Sequence, residues 1–98
     1  MSTWYTDDVK ELFEAILTLE TVDECRSFFE DACTVKEILE ISQRLKIAKL
    51  LRSKTSYSTI NSMTGISTAT LSRVSRCLDY GSGGYDLVIG RTEKEKDA

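Results

Sequence analysis

Residues 68–76 carry the side chains best suited to contact nucleic acid. Four of them are predicted to lie off the apolar face of a short helix and to contact base edges: Thr68, Ala69, Ser72 and Arg73. Small side chains let a helix approach the bases closely, and an arginine can bind guanine through two hydrogen bonds or hold a phosphate. The pattern predicts a helix that reads the major groove. A surface helix that is merely rich in serine and threonine is the alternative.

A second set of polar side chains, before and after this helix, is predicted to contact phosphates. Its members are basic or carry a hydroxyl group: Arg52, Lys54, Ser56, Tyr57, Ser58, Thr59 and Arg76. Contacts to phosphates fix the register of a protein on the duplex and make its binding sensitive to salt, but they carry no direct sequence information.

The distribution of charge supports a nucleic-acid partner, although the 98-residue chain has a net charge of -3. Residues 1–40 hold 3 basic and 11 acidic side chains, whereas residues 41–78 hold 7 basic side chains and no acidic ones. Residues 79–98 return to a net charge of -2. The acid-free stretch contains the predicted reading helix, as the neutralisation of phosphates requires.

The element that presents these side chains is predicted to be a helix-turn-helix. Ser56 can cap its first helix, Gly65 can end that helix in a left-handed conformation, and Ser67 can cap the second helix. Four apolar residues are spaced to close a small core between the two helices: Ile60, Ile66, Leu71 and Val74. Two positions depart from the usual pattern, because Asn61 stands where a small residue is usual and Thr64 where an apolar one is.

Three longer helices are predicted upstream, over residues 7–19, 22–33 and 35–52. Thr6 and two capping boxes, Thr21 to Glu24 and Thr34 to Glu37, mark their starts. The third helix has apolar residues in nearly every direction, so it must be covered on all sides. Few other helices are available to cover it, and we therefore predict a homodimer with this helix near its centre. A monomer that covers the helix by itself is the alternative.

The chain is predicted to be a single all-α domain in three parts. These are dimerisation helices over residues 6–53, the helix-turn-helix over residues 56–79, and a glycine-rich loop with a charged tail over residues 80–98. Asp86 to Ile89 is expected to be a short apolar anchor on the core. The glycines could approach a phosphate, but they lack the spacing of a nucleotide-binding loop, so a flexible connector is the preferred interpretation.

Several functions are difficult to build from this composition. The sequence has no histidine, no cysteine pair at metal-ligand spacing and no Walker or dinucleotide-binding motif, so we predict neither an enzyme nor a metal site. No apolar run is long enough to span a membrane, and the first residues do not resemble a signal peptide. The three cysteines are typical of thiols in a reducing compartment, so we expect a cytoplasmic protein.

The segment LLRSKTSYSTINSMTGISTATLSR, residues 50–73, resembles the DNA-reading region of the Trp repressor-like superfamily. The likeness continues through SRCLDYGSGGY in the manner of the smaller group labelled YerC/YecD, and it covers roughly residues 6–85. This resemblance implies a Trp-repressor-like helical bundle that forms an intertwined homodimer. It also implies that the protein binds double-stranded operator DNA and regulates transcription, as a repressor in the simplest case.

The resemblance also implies an effector pocket, with the candidate residues Gln43, Arg44, Thr70, Arg73, Val74 and Cys77. Thr70 and Arg73 match the family's tryptophan-binding residues, and the family's second arginine falls at Gln43 or, with a shift of one residue, at Arg44. However, Val74 replaces a glycine that leaves room for the indole, and Cys77 replaces a serine that meets the amino group. We therefore predict that the chain binds no tryptophan and needs no cofactor, while another small-molecule effector stays open.

The alternative function is that of a protein–protein adaptor. In this interpretation the same helical dimer uses its basic stretch to bind an acidic partner. Such an adaptor would show no DNA binding that depends steeply on salt. An enzyme would require a cleft with a perturbed carboxylate, to which nothing in the sequence points.

Overall fold

The fold is given by a computed structural model, which describes residues 3–97. It contains six α-helices: α1 (Asp7–Ile16), α2 (Val22–Ala32), α3 (Val35–Arg52), α4 (Tyr57–Thr64), α5 (Thr68–Tyr80) and α6 (Gly84–Asp97). No strand occurs in the described range, so the predicted all-α class is confirmed. None of these helices has both the length and the apolar character that a membrane span needs.

The chain forms two compact units that divide after Ile38, so α3 begins in the first unit and continues through the second. In the first unit, hydroxyl side chains begin α1 and α2 as predicted. Thr6 accepts a hydrogen bond from the Val9 N–H at 3.2 Å, and Thr21 accepts one from the Glu24 N–H at 3.1 Å. The first predicted capping box is only half formed, because the Glu24 carboxylate accepts from the Glu20 N–H rather than from Thr21.

The capping box that begins α3 is complete. The Glu37 N–H donates to the Thr34 hydroxyl at 3.1 Å, and the Thr34 N–H donates to the Glu37 carboxylate at 2.9 Å. These bonds favour the charged carboxylate and hold the pKa of Glu37 below its usual range. The stability that the cap contributes is therefore fully present above the ordinary carboxyl pKa and is lost as the pH falls through the lowered value.

Much of the apolar surface predicted for the first three helices lies open in a single chain. Neither α1 nor α2 has a fully buried residue, and Leu17 and Val22 are 82% and 85% exposed. In α3 only Ile47 and Ala48 are buried, while Leu39 is 64% exposed. The long helix that should be covered on all sides is thus covered by its own chain over only part of its length.

The core lies in the second unit and confirms the packing predicted for the helix-turn-helix. Four predicted core residues are all buried: Ile60, Ile66, Leu71 and Val74. Ile47 and Ala48 from α3 and Ile89 from α6 complete the cluster. Burial of one aliphatic side chain contributes about 1.5–3 kcal/mol, so this cluster favours the packing of α4 and α5 with α3 and α6.

The region after α5 differs from the prediction. Helix α6 replaces most of the expected glycine-rich loop and charged tail, and only residues 81–83 connect it to α5. Gly83 adopts a φ of 82°, which glycine tolerates and which turns the chain into the new helix. A helix was not expected because the glycines at 81, 83 and 84 favour a loop, and Gly90 in the middle of α6 lowers its intrinsic helix propensity. The packing of Tyr85 and Ile89 on the core compensates for that weakness.

Candidate nucleic-acid interface

Helices α4 and α5 begin and end as the helix-turn-helix prediction requires. Ser56 accepts a hydrogen bond from the Thr59 N–H at 3.2 Å, and Ser67 accepts one from the Thr70 N–H at 3.3 Å, so both predicted caps are present. Gly65 follows α4 with a φ of 71°, in the left-handed conformation that was predicted. The short connection between the helices is therefore defined by local chemistry at both of its ends.

The two atypical residues of the predicted motif fasten this connection. The Asn61 side-chain amide donates to the Ile66 carbonyl at 2.7 Å. The Thr64 hydroxyl accepts from the Ile66 N–H at 3.2 Å and donates to the Ile60 carbonyl at 2.7 Å. Backbone groups at a buried turn need such partners, because an unpaired polar group away from water is costly. Asn61 and Thr64 thus contribute hydrogen bonds at positions where a small and an apolar residue are usual.

Helix α5 has one buried face and one open face. Leu71 and Val74 are 0% and 2% exposed and lie in the core. The four residues predicted to read bases are all exposed: Thr68, Ala69, Ser72 and Arg73. Arg76 is exposed three residues further along the same helix. Small and basic side chains therefore occupy the solvent side of α5 over residues 68–76, as contact with a groove requires.

All seven predicted phosphate contacts are also exposed: Arg52, Lys54, Ser56, Tyr57, Ser58, Thr59 and Arg76. Lys54 lies between α3 and α4 with a φ of 60°, a left-handed conformation that is costly for a residue with a side chain. Its N–H donates to the Leu51 carbonyl, and the Thr55 N–H donates to the Leu50 carbonyl, which are the two bonds of a common helix-ending turn. This turn places a lysine directly before the first turn of α4.

Arg52, one of the predicted phosphate contacts, is hydrogen-bonded to other groups of its own chain. Its Nε and Nη2 atoms donate to the two carboxylate oxygens of Asp86 at 2.8 and 2.9 Å, and Nη2 also donates to the Leu78 carbonyl at 3.0 Å. The guanidinium holds the pKa of Asp86 below its usual range, because it stabilises the charged carboxylate. The prediction missed this pairing because Asp86 lies on α6, the helix that was not expected.

Five of the six candidate effector residues line one cavity of about 330 Å³: Gln43, Arg44, Thr70, Arg73 and Val74. Glu40 also lines this cavity, and its carboxylate lies 3.7 Å from the Arg44 guanidinium. Glu40 is not among the predicted effector residues, although its spacing of four residues from Arg44 places the two on the same side of α3. The lining therefore includes one carboxylate and two guanidinium groups.

Cys77, the sixth candidate, does not join the other five. It lines a separate and mainly apolar cavity of about 670 Å³, together with Ile41, Leu45, Tyr85 and Val88. The cysteine that stands in place of the family's pocket serine therefore lies outside the cavity that the other five candidates line.

Comparison with known proteins identifies relatives along almost the whole chain. The family model described as Trp repressor protein matches residues 7–93. The uncharacterized protein YerC of Bacillus subtilis is 44% identical over 87 residues, which are 89% of this chain and 84% of YerC. The crystal structure of a TrpR-like protein from Eubacterium eligens matches with a TM-score of 0.86 at 52% identity, and the match covers 91% of this chain and 92% of that one. The resemblance seen in residues 50–73 is thereby confirmed, and the chain belongs to the Trp repressor protein family.

Proposed function

We propose that the chain is a sequence-specific DNA-binding transcriptional regulator that acts as a homodimer and as a repressor. The open face of α5 carries this proposal. Over residues 68–76 its exposed side chains are small or basic, while the opposite face is held in the core by Leu71 and Val74. Membership of a family named for a repressor supports the same function.

Electrostatics supports double-stranded DNA as the partner. The stretch from 41 to 78 carries no acidic side chain, and it includes α4, the loop before it and residues 68–78 of α5. Lys54 and Arg76 are exposed, so their charges are available to phosphates, whereas Arg52 is engaged with Asp86. In this proposal Thr68, Ala69, Ser72 and Arg73 contact bases, and the lysine, Arg76 and the hydroxyl groups of the first turn of α4 contact phosphates.

The homodimer is supported by apolar surface that a single chain leaves open. Val35, Leu39 and Ile41 on α3 are 68%, 64% and 53% exposed, and large apolar side chains of α1 and α2 are open as well. Large apolar side chains that are exposed in a single chain are candidates for an interface. In a two-fold dimer the two copies of α5 would meet successive major-groove faces about 34 Å apart, a geometry known from helix-turn-helix dimers that include the Trp repressor. We therefore expect a palindromic site.

The first experiment is a selection of bound fragments from a genomic DNA library with the purified protein. The recovered fragments should share a palindromic sequence, and affinity for them should fall steeply as the salt concentration rises. If no fragment is enriched and no salt-steep binding occurs, the regulator proposal is wrong and the adaptor alternative is favoured.

Replacement of Arg76 tests the phosphate contacts. Arg76→Ala should weaken binding to all DNA and reduce the slope of log K against log salt by about 1, because one fewer counterion is released. Fluorescence anisotropy titrations at several salt concentrations measure both effects. Arg26→Ala removes the same charge from a 77% exposed position on α2 and serves as the control. Equal losses in the two variants would contradict a specific role for Arg76.

We further infer that tryptophan is not the effector. Two observations support this inference: Val74 lines the same cavity as Arg73 with a larger side chain than a glycine would provide, and Cys77 lines another cavity. Isothermal titration calorimetry with tryptophan should therefore give no heat of binding. Micromolar binding that is accompanied by tighter DNA affinity would overturn this inference.

A further inference from the structure

An ion pair connects the far end of the proposed reading helix to the helices before and after it. Arg52 is the last residue of α3, Leu78 lies in the last turn of α5, and Asp86 lies in the first turn of α6. Three hydrogen bonds of 2.8–3.0 Å join the Arg52 guanidinium to the other two residues. We call the Arg52 side chain, the Leu78 carbonyl and the Asp86 carboxylate the Arg52 clamp.

We propose that the Arg52 clamp sets the direction of α5, so that Arg52 and Asp86 are positioning residues for DNA recognition. This inference rests on the proposed function. It assigns to Arg52 a role that acts through α5 rather than through a phosphate, and it gives α6 a part in reading DNA.

The Arg52 clamp lies between the carboxyl end of α5 and the amino end of α6, where backbone groups lack partners within their own helix. The last carbonyls of a helix have no intrahelical donor, and Arg52 supplies one to the Leu78 carbonyl. The carboxyl end of α5 carries partial negative charge and the amino end of α6 partial positive charge. The Arg52 guanidinium lies at the carboxyl end of α5, and the Asp86 carboxylate lies in the first turn of α6, so each group complements the charge of its helix end.

Geometry matters more here than the strength of one ion pair. The side chains of Arg52 and Asp86 are 41% and 49% exposed, and exposed pairs usually add little stability. However, a guanidinium that binds both carboxylate oxygens has a fixed orientation. Since only residues 81–83 separate α5 from α6, an orientation imposed on Asp86 is transmitted to the end of α5 over a short connection.

The reading helix is thus held at both ends. At its amino end, Asn61 and Thr64 fix the backbone of Ile66, one residue before the Ser67 cap. At its carboxyl end, the Arg52 clamp holds Leu78. The exposed reading residues lie between these two points. Loss of the clamp should leave the core and the caps intact but free one end of the helix, and binding sites tolerate displacements of only about 0.5 Å.

Positioning and simple electrostatics predict opposite results when Asp86 is changed. Removal of a negative charge from a DNA-binding protein should by itself tighten its binding to a polyanion. If the Arg52 clamp positions α5, Asp86→Asn should instead weaken binding to the selected site. Arg52→Gln should weaken it to the same extent, and without the change in salt slope that the loss of a phosphate contact would cause.

The experiment compares the wild type, Asp86→Asn, Arg52→Gln and the double variant on a fragment enriched by genomic selection and on a random fragment. Each single variant should lose affinity for the selected fragment on the order of tenfold, the cost of modest misplacement. Binding to the random fragment should stay within about twofold for Asp86→Asn. The double variant should lose no more than the weaker-binding single variant, because the two residues act through one contact.

Asp79→Asn is the matched control. Asp79 is an exposed carboxylate in the last turn of α5, and it influences Arg52 only through its charge. This variant should bind both fragments as well as the wild type or more tightly. Circular dichroism and urea unfolding should show that every variant is folded under the conditions of the binding assays, which lie well below the unfolding midpoint.

Three results would be decisive against the proposal or its basis. If Asp86→Asn binds the selected fragment as well as or better than the wild type, the Arg52 clamp does not position α5. If Arg52→Gln alone loses affinity, with a salt slope lower by about 1, Arg52 is a phosphate contact instead. If the wild type enriches no fragment, the proposed function fails before the clamp is tested.

Discussion

Lys54 has a backbone conformation that side chains rarely adopt, at the point where the chain leaves α3 for α4. Its φ is 60°, and a left-handed conformation costs a residue with a side chain about 1–2 kcal/mol. A glycine would relieve that cost at this position. The proposed contact between the lysine ammonium and a DNA phosphate offers a reason for a charged side chain in a strained place.

Lys54→Gly should therefore change stability and DNA binding in opposite directions. The free energy of unfolding should rise by about 0.5–1 kcal/mol, since relief of strain exceeds the added flexibility of glycine in the unfolded chain. Affinity for all DNA should fall with the loss of a positive charge. Urea unfolding and anisotropy titrations measure the two effects.

Lys54→Arg keeps both the charge and the strained backbone and should resemble the wild type in both assays. A Lys54→Gly variant that binds DNA normally would show that this side chain contacts no phosphate.

Helix α6 illustrates how packing can outweigh local preference at the scale of an element. Gly81 ends α5, and a Cβ atom at this position would overlap the Cys77 carbonyl oxygen. Gly90 lies within α6, and a Cβ atom there would meet nothing within 4 Å. The same change from glycine to alanine should therefore have opposite effects at the two positions.

Gly90→Ala should raise the free energy of unfolding by about 0.5–1 kcal/mol, because alanine favours the helix and loses less entropy on folding. Gly81→Ala should lower it by about 1–3 kcal/mol, because the end of α5 must shift to relieve the overlap. Urea unfolding, followed by circular dichroism, measures both changes. If Gly90→Ala left the stability unchanged, α6 would not be a stable helix in solution.

At the scale of the whole molecule, the open apolar surface of α3 leads us to expect a dimer. Sedimentation equilibrium at micromolar concentration should give a mass of twice the 11.0 kDa chain. Leu39→Ser should shift the equilibrium towards monomer, because it removes apolar area that is 64% exposed in the single chain. Lys36→Ser, an exposed polar position on the same helix, should not. A mass near that of one chain for the wild type would contradict the dimer.

The sequence by itself determined the features that depend on neighbouring residues. Thr6, Ser56 and Ser67 cap helices because a hydroxyl group reaches an N–H only three residues away, and Gly65 ends α4 because glycine tolerates a positive φ. The helical spacing of apolar residues also predicted the core around Leu71, and one motif pointed to the family.

Only the tertiary structure decided the features that depend on distant residues. Helix α6 has weak local preference and is stabilised by the packing of Ile89 on a core whose other members come from α3, the turn, α4 and α5. Arg52 binds Asp86, which lies 34 residues further along the chain. Cys77 faces a different cavity from Arg73, although the two lie on the same helix. Short-range hydrogen bonds can be inferred from spacing, whereas these contacts exist only once folding has brought separate helices together.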